Sequence, residues 1–219
     1  MQRAQQHRVS WRCINTLLGL SIGIPFPRKA RRVVIKDSFN RADNATSLGS
    51  TETGQAWQPL NGTWGISNGK AYSVSDNSDD ICVFDVGKSD FSITCTFNCQ
   101  TNGTNLRVIN LIFRVLDAGN FLMTRENQGA LELYKRVGGS FTQLASTPYG
   151  LLDNTDYTLT VLCSGNQINV YINGGAAKIA YTLSGSESAF ASYTKAGLRL
   201  TKAGLPTNPA RADNLFVEV

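Results

Sequence analysis

One histidine, two methionines and six prolines occur among 219 residues, and each scarcity excludes something. With His7 as the lone imidazole, most Ser–His, Cys–His and zinc-based catalytic schemes lack a member. No stretch reaches the roughly 18 consecutive apolar residues of a membrane-spanning helix. Charged residues make up only 17%, too few for a disordered chain, while 42% hydrophobic residues supply a core. At about 100–200 residues per domain, the length fits one domain, or one domain with an appendage. Abundant Thr, Ser, Asn, Gly and Val point to sheet rather than helix.

Acidic residues are missing altogether from positions 1–32, which hold seven of the 21 basic residues. The arm therefore carries +7, and the remainder, with 14 basic and 16 acidic side chains, carries −2 of the overall +5. The basic character belongs to the arm alone, so the body offers no basic patch to nucleic acid, and the arm's cations specify no sequence. Between its basic ends the arm is partly apolar, from Cys13 to Phe26, and it has no small-x-small cleavage site. It is expected to anchor the protein on a neighbouring subunit through Arg3, Arg8, Trp11, Arg12, Leu17, Leu18, Phe26, Arg28, Lys29, Arg31 and Arg32. An atypical export signal is the alternative.

Beyond residue 32 the apolar period is two rather than 3.6. Strands are expected at 33–39, 63–67, 70–74, 81–86, 91–99, 106–115, 120–126, 130–137, 141–146, 156–164, 167–173, 177–183, 195–200 and 213–219. Ser67-Asn68-Gly69, Gly138-Gly139, Ser164-Gly165-Asn166 and Asn173-Gly174-Gly175 mark the turns. Only 186–192 reads as helical. Short, regularly spaced strands indicate an antiparallel sandwich or barrel.

The segment Ile112–Ser146 resembles the centre of laminin-G-like, concanavalin-A-like jelly rolls: an apolar-Arg strand, an Asp117-Ala118-Gly119-Asn120-Phe121 turn and a Leu133-Tyr134-Lys135 strand. Tyr157–Gly174 is similar to that family's hairpin. Asp37-Ser38-Phe39-Asn40-Arg41 with Trp57 and Trp64 resembles its opening, and Asp213-Asn214-Leu215-Phe216-Val217 its close. The resemblance covers roughly residues 34–219. It implies an all-β, two-sheet antiparallel jelly-roll sandwich over 33–219 with adjacent first and last strands; the charge pattern adds the extended arm of residues 1–32 before it.

One fold hosts many functions, so activity must be argued from residues. Glycoside hydrolysis requires two flanking carboxylates. The glucanase branch of the superfamily carries two Glu around an Asp at alternate positions of one strand, and no such triplet occurs here. Glu126 and Glu132 are the remaining candidate pair, on separate strands. A non-enzymatic role is therefore expected. Tyr134 and Tyr171 fall on polar strand faces, where an exposed ring suits the apolar face of a sugar; Asn110, Arg114, Arg125 and Glu132 are candidates to line the same open sheet. No cofactor is expected; a structural Ca²⁺ would need six to eight oxygen ligands, of which Asp37 and Asp213 would supply two carboxylates.

Five cysteines, an odd number, include Cys95 and Cys99 about 13 Å apart on one extended strand, too far to bridge. Cys95, Cys99 and Cys163 read as buried thiols. A Cys95–Cys163 or Cys82–Cys163 bridge stays open, and assembly in a reducing cytoplasm is favoured. Phe91, Phe97, Phe113, Trp64 and Phe216 are expected in the core. Together these features lead to a structural or decoration protein of a tailed-phage virion, present in many copies or as a homo-oligomer, bound to other virion subunits by its arm and displaying a jelly roll that contacts cell-surface glycan. The alternatives are a secreted bacterial lectin-like module and a divergent glycoside hydrolase.

Overall fold

The computed structural model describes residues 32–219 apart from positions 76, 78, 99, 102–105, 108, 128, 153–154 and 201–209. The anchoring residues Arg3 to Arg31, together with Cys13 and Cys99, lie outside the described residues. Among the described residues the strands are β1 (Val33–Asp37), β2 (Gln58–Asn61), β3 (Trp64–Ser67), β4 (Lys70–Ser73), β5 (Ile81–Asp85), β6 (Phe91–Asn98), β7 (Gln100–Thr101), β8 (Leu106–Arg107), β9 (Ile109–Asp117), β10 (Asn120–Asn127), β11 (Ala130–Val137), β12 (Ser140–Pro148), β13 (Asp156–Ser164), β14 (Gln167–Ile172), β15 (Ile179–Thr182), β16 (Lys195–Leu200) and β17 (Arg211–Glu218). A 3₁₀ helix spans Gly185–Ser192. No helix among them is long and apolar enough to cross a membrane.

Two antiparallel sheets make the sandwich. The eight-stranded sheet runs β15-β14-β13-β6-β17-β4-β3 with β1 also on β17; the seven-stranded sheet runs β12-β11-β10-β9-β16-β5-β2. The all-β jelly-roll expectation holds, including the adjacency of the first and last strands. Val33 to Asp37 pair with Glu218 to Leu215, and Arg32 exchanges two backbone hydrogen bonds with Val219. Two details differ from the sequence reading. Strand β2 was not anticipated, because Pro59 breaks its period. The expected 106–115 strand divides, with 106–107 pairing to 100–101 in a separate ribbon.

The core forms as period-two alternation requires. Phe91, Ile93, Cys95 and Phe97 of β6 and Tyr157, Leu159, Val161 and Cys163 of β13 turn inward against Phe84, Leu111, Phe113, Leu122, Leu131, Leu133 and Leu198 of the opposing sheet. Cys82, Cys95 and Cys163 are buried free thiols, so neither Cys95–Cys163 nor Cys82–Cys163 is bridged. Burial pushes the Cys82 and Cys95 thiols up to about 12. Gly197 of β16 lies so close to β5 that a Cβ there would stand 2.0 Å from the Cys82 carbonyl oxygen. Phe216 departs from expectation. A bulge between Asp213 and Phe216, with Asn214 at φ +49°, leaves Leu215 and Val217 in the core and places Phe216 half-buried on the outer face.

Asp37 is fully buried at the end of β1. Its Oδ1 accepts from the Phe39 amide (2.9 Å) and Arg41 Nη1 (2.7 Å), and its Oδ2 from Arg41 Nη2 (3.1 Å) and Trp57 Nε1 (2.7 Å). Both carboxylates weighed as calcium ligands have other partners. The Asp37 carboxylate is already filled by four donors, and Asp213 instead receives the Asn214 amide at 2.7 Å and faces Lys70 at 3.8 Å. Asp37 fastens the loop after β1, in which Phe39 adopts φ +54°, to the buried Trp57. Replacing it strands two buried N–H groups and a guanidinium. Asp37→Ala is expected to cost about 3 kcal/mol, read as a melting-temperature drop of roughly 5–10 °C by calorimetry.

Candidate functional site on the seven-stranded sheet

Most exposed sheet faces are polar, but the outer face of the seven-stranded sheet is not. Ile81, Val83, Ile112, Val115, Phe121 and Met123 form a second buried cluster there, with Leu60, Ala118 and Tyr134 packed against it. Apolar surface on that side must be covered, and cationic and aromatic side chains take part in covering it. Arg136 lies with its guanidinium 5.6 Å from the Phe121 ring centre and 4.8 Å from that of Phe141; Arg199 stands 4.9 Å from Phe141. Asp79 joins the two cations, receiving Arg199 Nε at 2.8 Å on one oxygen and Arg136 Nη1 at 2.7 Å on the other. Phe141 itself is 41% exposed.

Beside this group a polar row crosses the sheet. Register pairs Glu132 with Arg125 and Asn110 with Arg199, and the Met123–Ile112 pairing brings Arg125 into line with Asn110. Asn110, Glu132 and Arg199 are buried, while the Arg125 side chain is 30% exposed. Arg125 lies over the Tyr134 ring at 5.6 Å. Its Nε stands 3.9 Å from Glu132 Oε2, an ion pair too long for a direct hydrogen bond, and neither of these buried atoms has a hydrogen-bond partner. The other Glu132 oxygen receives Gln143 Nε2 at 3.5 Å.

Burial, followed by the Glu132 charge, raises the Tyr134 phenol above its usual value against the opposing pull of Arg125. Burial likewise lowers Arg199, which Asp79 opposes. The face thus presents guanidinium donors, a carboxylate acceptor, a protonated phenol and an exposed phenylalanine. Among the described residues no three His, Cys, Asp or Glu side chains assemble a metal site.

Four of the six sequence-selected residues meet here: Asn110, Arg125, Glu132 and Tyr134. Two of them, Asn110 and Glu132, are buried rather than on open sheet. Arg114 is not part of the site. It is the extra residue of a bulge, at φ +50° between Phe113 and Val115, and its fully buried side chain reaches the Ser89 carbonyl at 3.3 Å and Asp90 at 3.5 Å. Tyr171 belongs to the other sheet, opposite Thr160 on β13. Asp79, Arg136, Phe141 and Arg199 were missed. The alternation Leu198-Arg199-Leu200 carried a signal for Arg199, and Tyr134-Lys135-Arg136 one for Arg136. Phe141 and Asp79 sit beside turns and had none. Glu126 pairs with Leu131 and Glu132 with Arg125, so the two acids occupy positions of opposite parity.

The fold is a two-sheet antiparallel jelly-roll sandwich. No protein-family model matches the chain, and no curated protein matches it in sequence. Solved structures do. The chain is similar to carbohydrate-binding module CBM66 from Bacillus subtilis, at 18% identity over 80% of this chain and 98% of that one, with TM-score 0.58. It is similar to domain 4 of AbnA, a GH43 extracellular arabinanase from Geobacillus stearothermophilus, solved in complex with arabinotriose, at 13% identity over 87% and 93%, TM-score 0.56. A third is the CBM2 module of the evolved Dit of Lactobacillus casei BL23 phage J-1, at 13% identity over 86% and 95%, TM-score 0.52. At these identities the likeness is one of fold.

The Tyr134 environment has a measurable consequence. Its phenol is expected to ionise above 10, and because the folded state holds the proton more tightly, its contribution to stability is present below that value and lost as pH rises through the folded pKa. Ultraviolet titration near 295 nm checks this: Tyr134→Phe should remove a component titrating above the free-tyrosine range.

Proposed function

We propose that the protein is a non-catalytic glycan-binding module that takes sugar on the outer face of its seven-stranded sheet. The observation that carries this reading is the transverse row Glu132–Arg125–Asn110–Arg199 bordered by Tyr134 and Phe141. Sugar hydroxyls both donate and accept, and the partly exposed Arg125 guanidinium, held beside Glu132 by an ion pair at 3.9 Å, offers donors at the accessible edge of the row. Phe141 and Tyr134 supply apolar surface for the C–H face of a ring. The names of the neighbours, carbohydrate-binding modules and a domain with bound arabinotriose, support the same reading.

Glycan-array screening followed by calorimetric titration tests it. Phe141→Ala and Arg125→Ala, both on partly exposed side chains, are expected to weaken binding at least about tenfold with little change in melting temperature. Wild-type affinity in both variants overturns the assignment of this face.

The setting we favour is a tailed-phage virion, in which the arm fastens the module to neighbouring virion subunits and the jelly roll faces the host surface; the phage J-1 Dit module supports it. Such an arm makes attachment depend on the assembled lattice, a linkage effect. Removing residues 1–32 is expected to abolish co-sedimentation with particles while leaving glycan binding unchanged. Retained co-sedimentation removes the anchoring role, and a native protein found free in culture medium favours the secreted lectin-like alternative.

A further inference from the structure

The opposite sheet carries a second, chemically different concavity. On the outer face of the eight-stranded sheet a groove of about 460 Å³ lies over β6, β13 and β17, with Lys36 of β1 at its side. That volume falls in the ~300–1,000 Å³ range of small-molecule pockets.

Its lining is largely apolar, with Val33, Leu215 and Phe216 beside Thr94, Thr96 and Thr158, and the threonine hydroxyls are the polar points of its floor. Thr94 and Thr160 face each other across β6 and β13 with Oγ1 atoms 2.8 Å apart, and Thr96 and Thr158 with Oγ1 atoms 3.3 Å apart. A hydroxyl pair shares one hydrogen, so each pair retains one O–H donor and several acceptor lone pairs for a third group. Phe216 lies half-buried in the wall because the β17 bulge turned it outward, and the same bulge exposes Asn214, whose amide both donates and accepts. Charge is nearly absent. Lys36 is held by Glu52 at 3.1 Å, and the Asp37 carboxylate is occupied by its four donors.

From this combination we infer a second ligand site, for a neutral oligosaccharide, on the eight-stranded sheet. A few donor-acceptor hydroxyls and one amide set in a largely apolar lining suit an uncharged ligand that carries both hydroxyls and apolar C–H faces. An anionic ligand would find no unpaired cation there, and a purely apolar one would leave the threonine donors without partners. The guanidinium-rich face of the other sheet has the opposite character, so the two sites select different sugars. A module with one site on each outer face bridges two glycan chains, and simultaneous engagement raises the strength of attachment to a surface.

This site does not depend on the first, and one experiment separates them. Full-length protein with labelled threonine methyl groups is titrated by NMR with maltotriose, cellotriose and xylotriose. At least one is expected to shift the Thr94, Thr96 and Thr158 methyl signals saturably, and to do so equally in the Phe141→Ala variant. The near-isosteric double variant Thr96→Val/Thr158→Val removes hydroxyls without removing volume and is expected to weaken that binding about tenfold; Phe216→Ala should do the same. Absence of a saturable shift with all three sugars, or unchanged affinity in both the double variant and Phe216→Ala, overturns the inference. Loss of the shift in Phe141→Ala also overturns it, because binding would then belong to the seven-stranded sheet.

Discussion

The carboxylate of Asp79 is the contact on which the arrangement of the seven-stranded sheet depends. That sheet is apolar on both sides, and a sandwich covers only one of them. The outer layer of Ile81, Val83, Ile112, Phe121 and Met123 is shielded in part by two guanidinium groups set over aromatic rings. Two cations over one phenylalanine repel each other, and the Arg136 and Arg125 charges do act to lower the Arg199 pKa. A single anion bonded to both Arg136 and Arg199 offsets that repulsion and fixes where each side chain lies. The clamp fixes the two guanidinium groups that flank Phe141, at the Arg199 end of the polar row.

Bulges supply the second constraint. An extra residue in a strand flips the parity of every residue beyond it. At Arg114 the bulge turns a cation away from the face that simple alternation assigned to it and lets Val115 join the outer apolar layer. Between Asp213 and Phe216 another bulge brings Phe216 out of the core and lifts Asn214 into the left-handed region. A third, between Leu133 and Tyr134 in the pairing of β11 with β12, sets the register that brings Phe141 opposite Arg136. Both proposed binding faces therefore owe residues to local departures from regular pairing.

The two faces differ in chemistry because they solve different packing problems. The eight-stranded sheet has an outer face of threonines, whose hydroxyls pair across strands and remain at ease beside water. The seven-stranded sheet has an outer face of aliphatic residues that need amphipathic cover, and arginine provides an apolar stem with a charged end. One sheet thus presents threonine hydroxyls within a largely apolar groove and the other a mixed array of guanidinium and aromatic groups.

Period-two alternation and Gly/Asn turn residues were enough, by themselves, to determine the all-β class, most strand positions and the inward set of Phe91, Ile93, Cys95, Phe97, Leu159, Val161 and Cys163, because the side-chain period of a strand is a local property. Alternation also placed Asn110, Arg125, Glu132 and Tyr134 on one face. It could not place Arg114 or Phe216, since a bulge depends on how two chains pair rather than on either one alone. Nor did it reach Asp79, which lies 57 residues from Arg136 and 120 from Arg199 in sequence. Asp37 shows the same limit: an acid that read as a ligand for calcium is satisfied by Arg41 and Trp57, a partnership only the closed end of the sandwich creates. Charges and hydrogen-bond partners are decided by tertiary proximity, and strand periodicity carries no record of it.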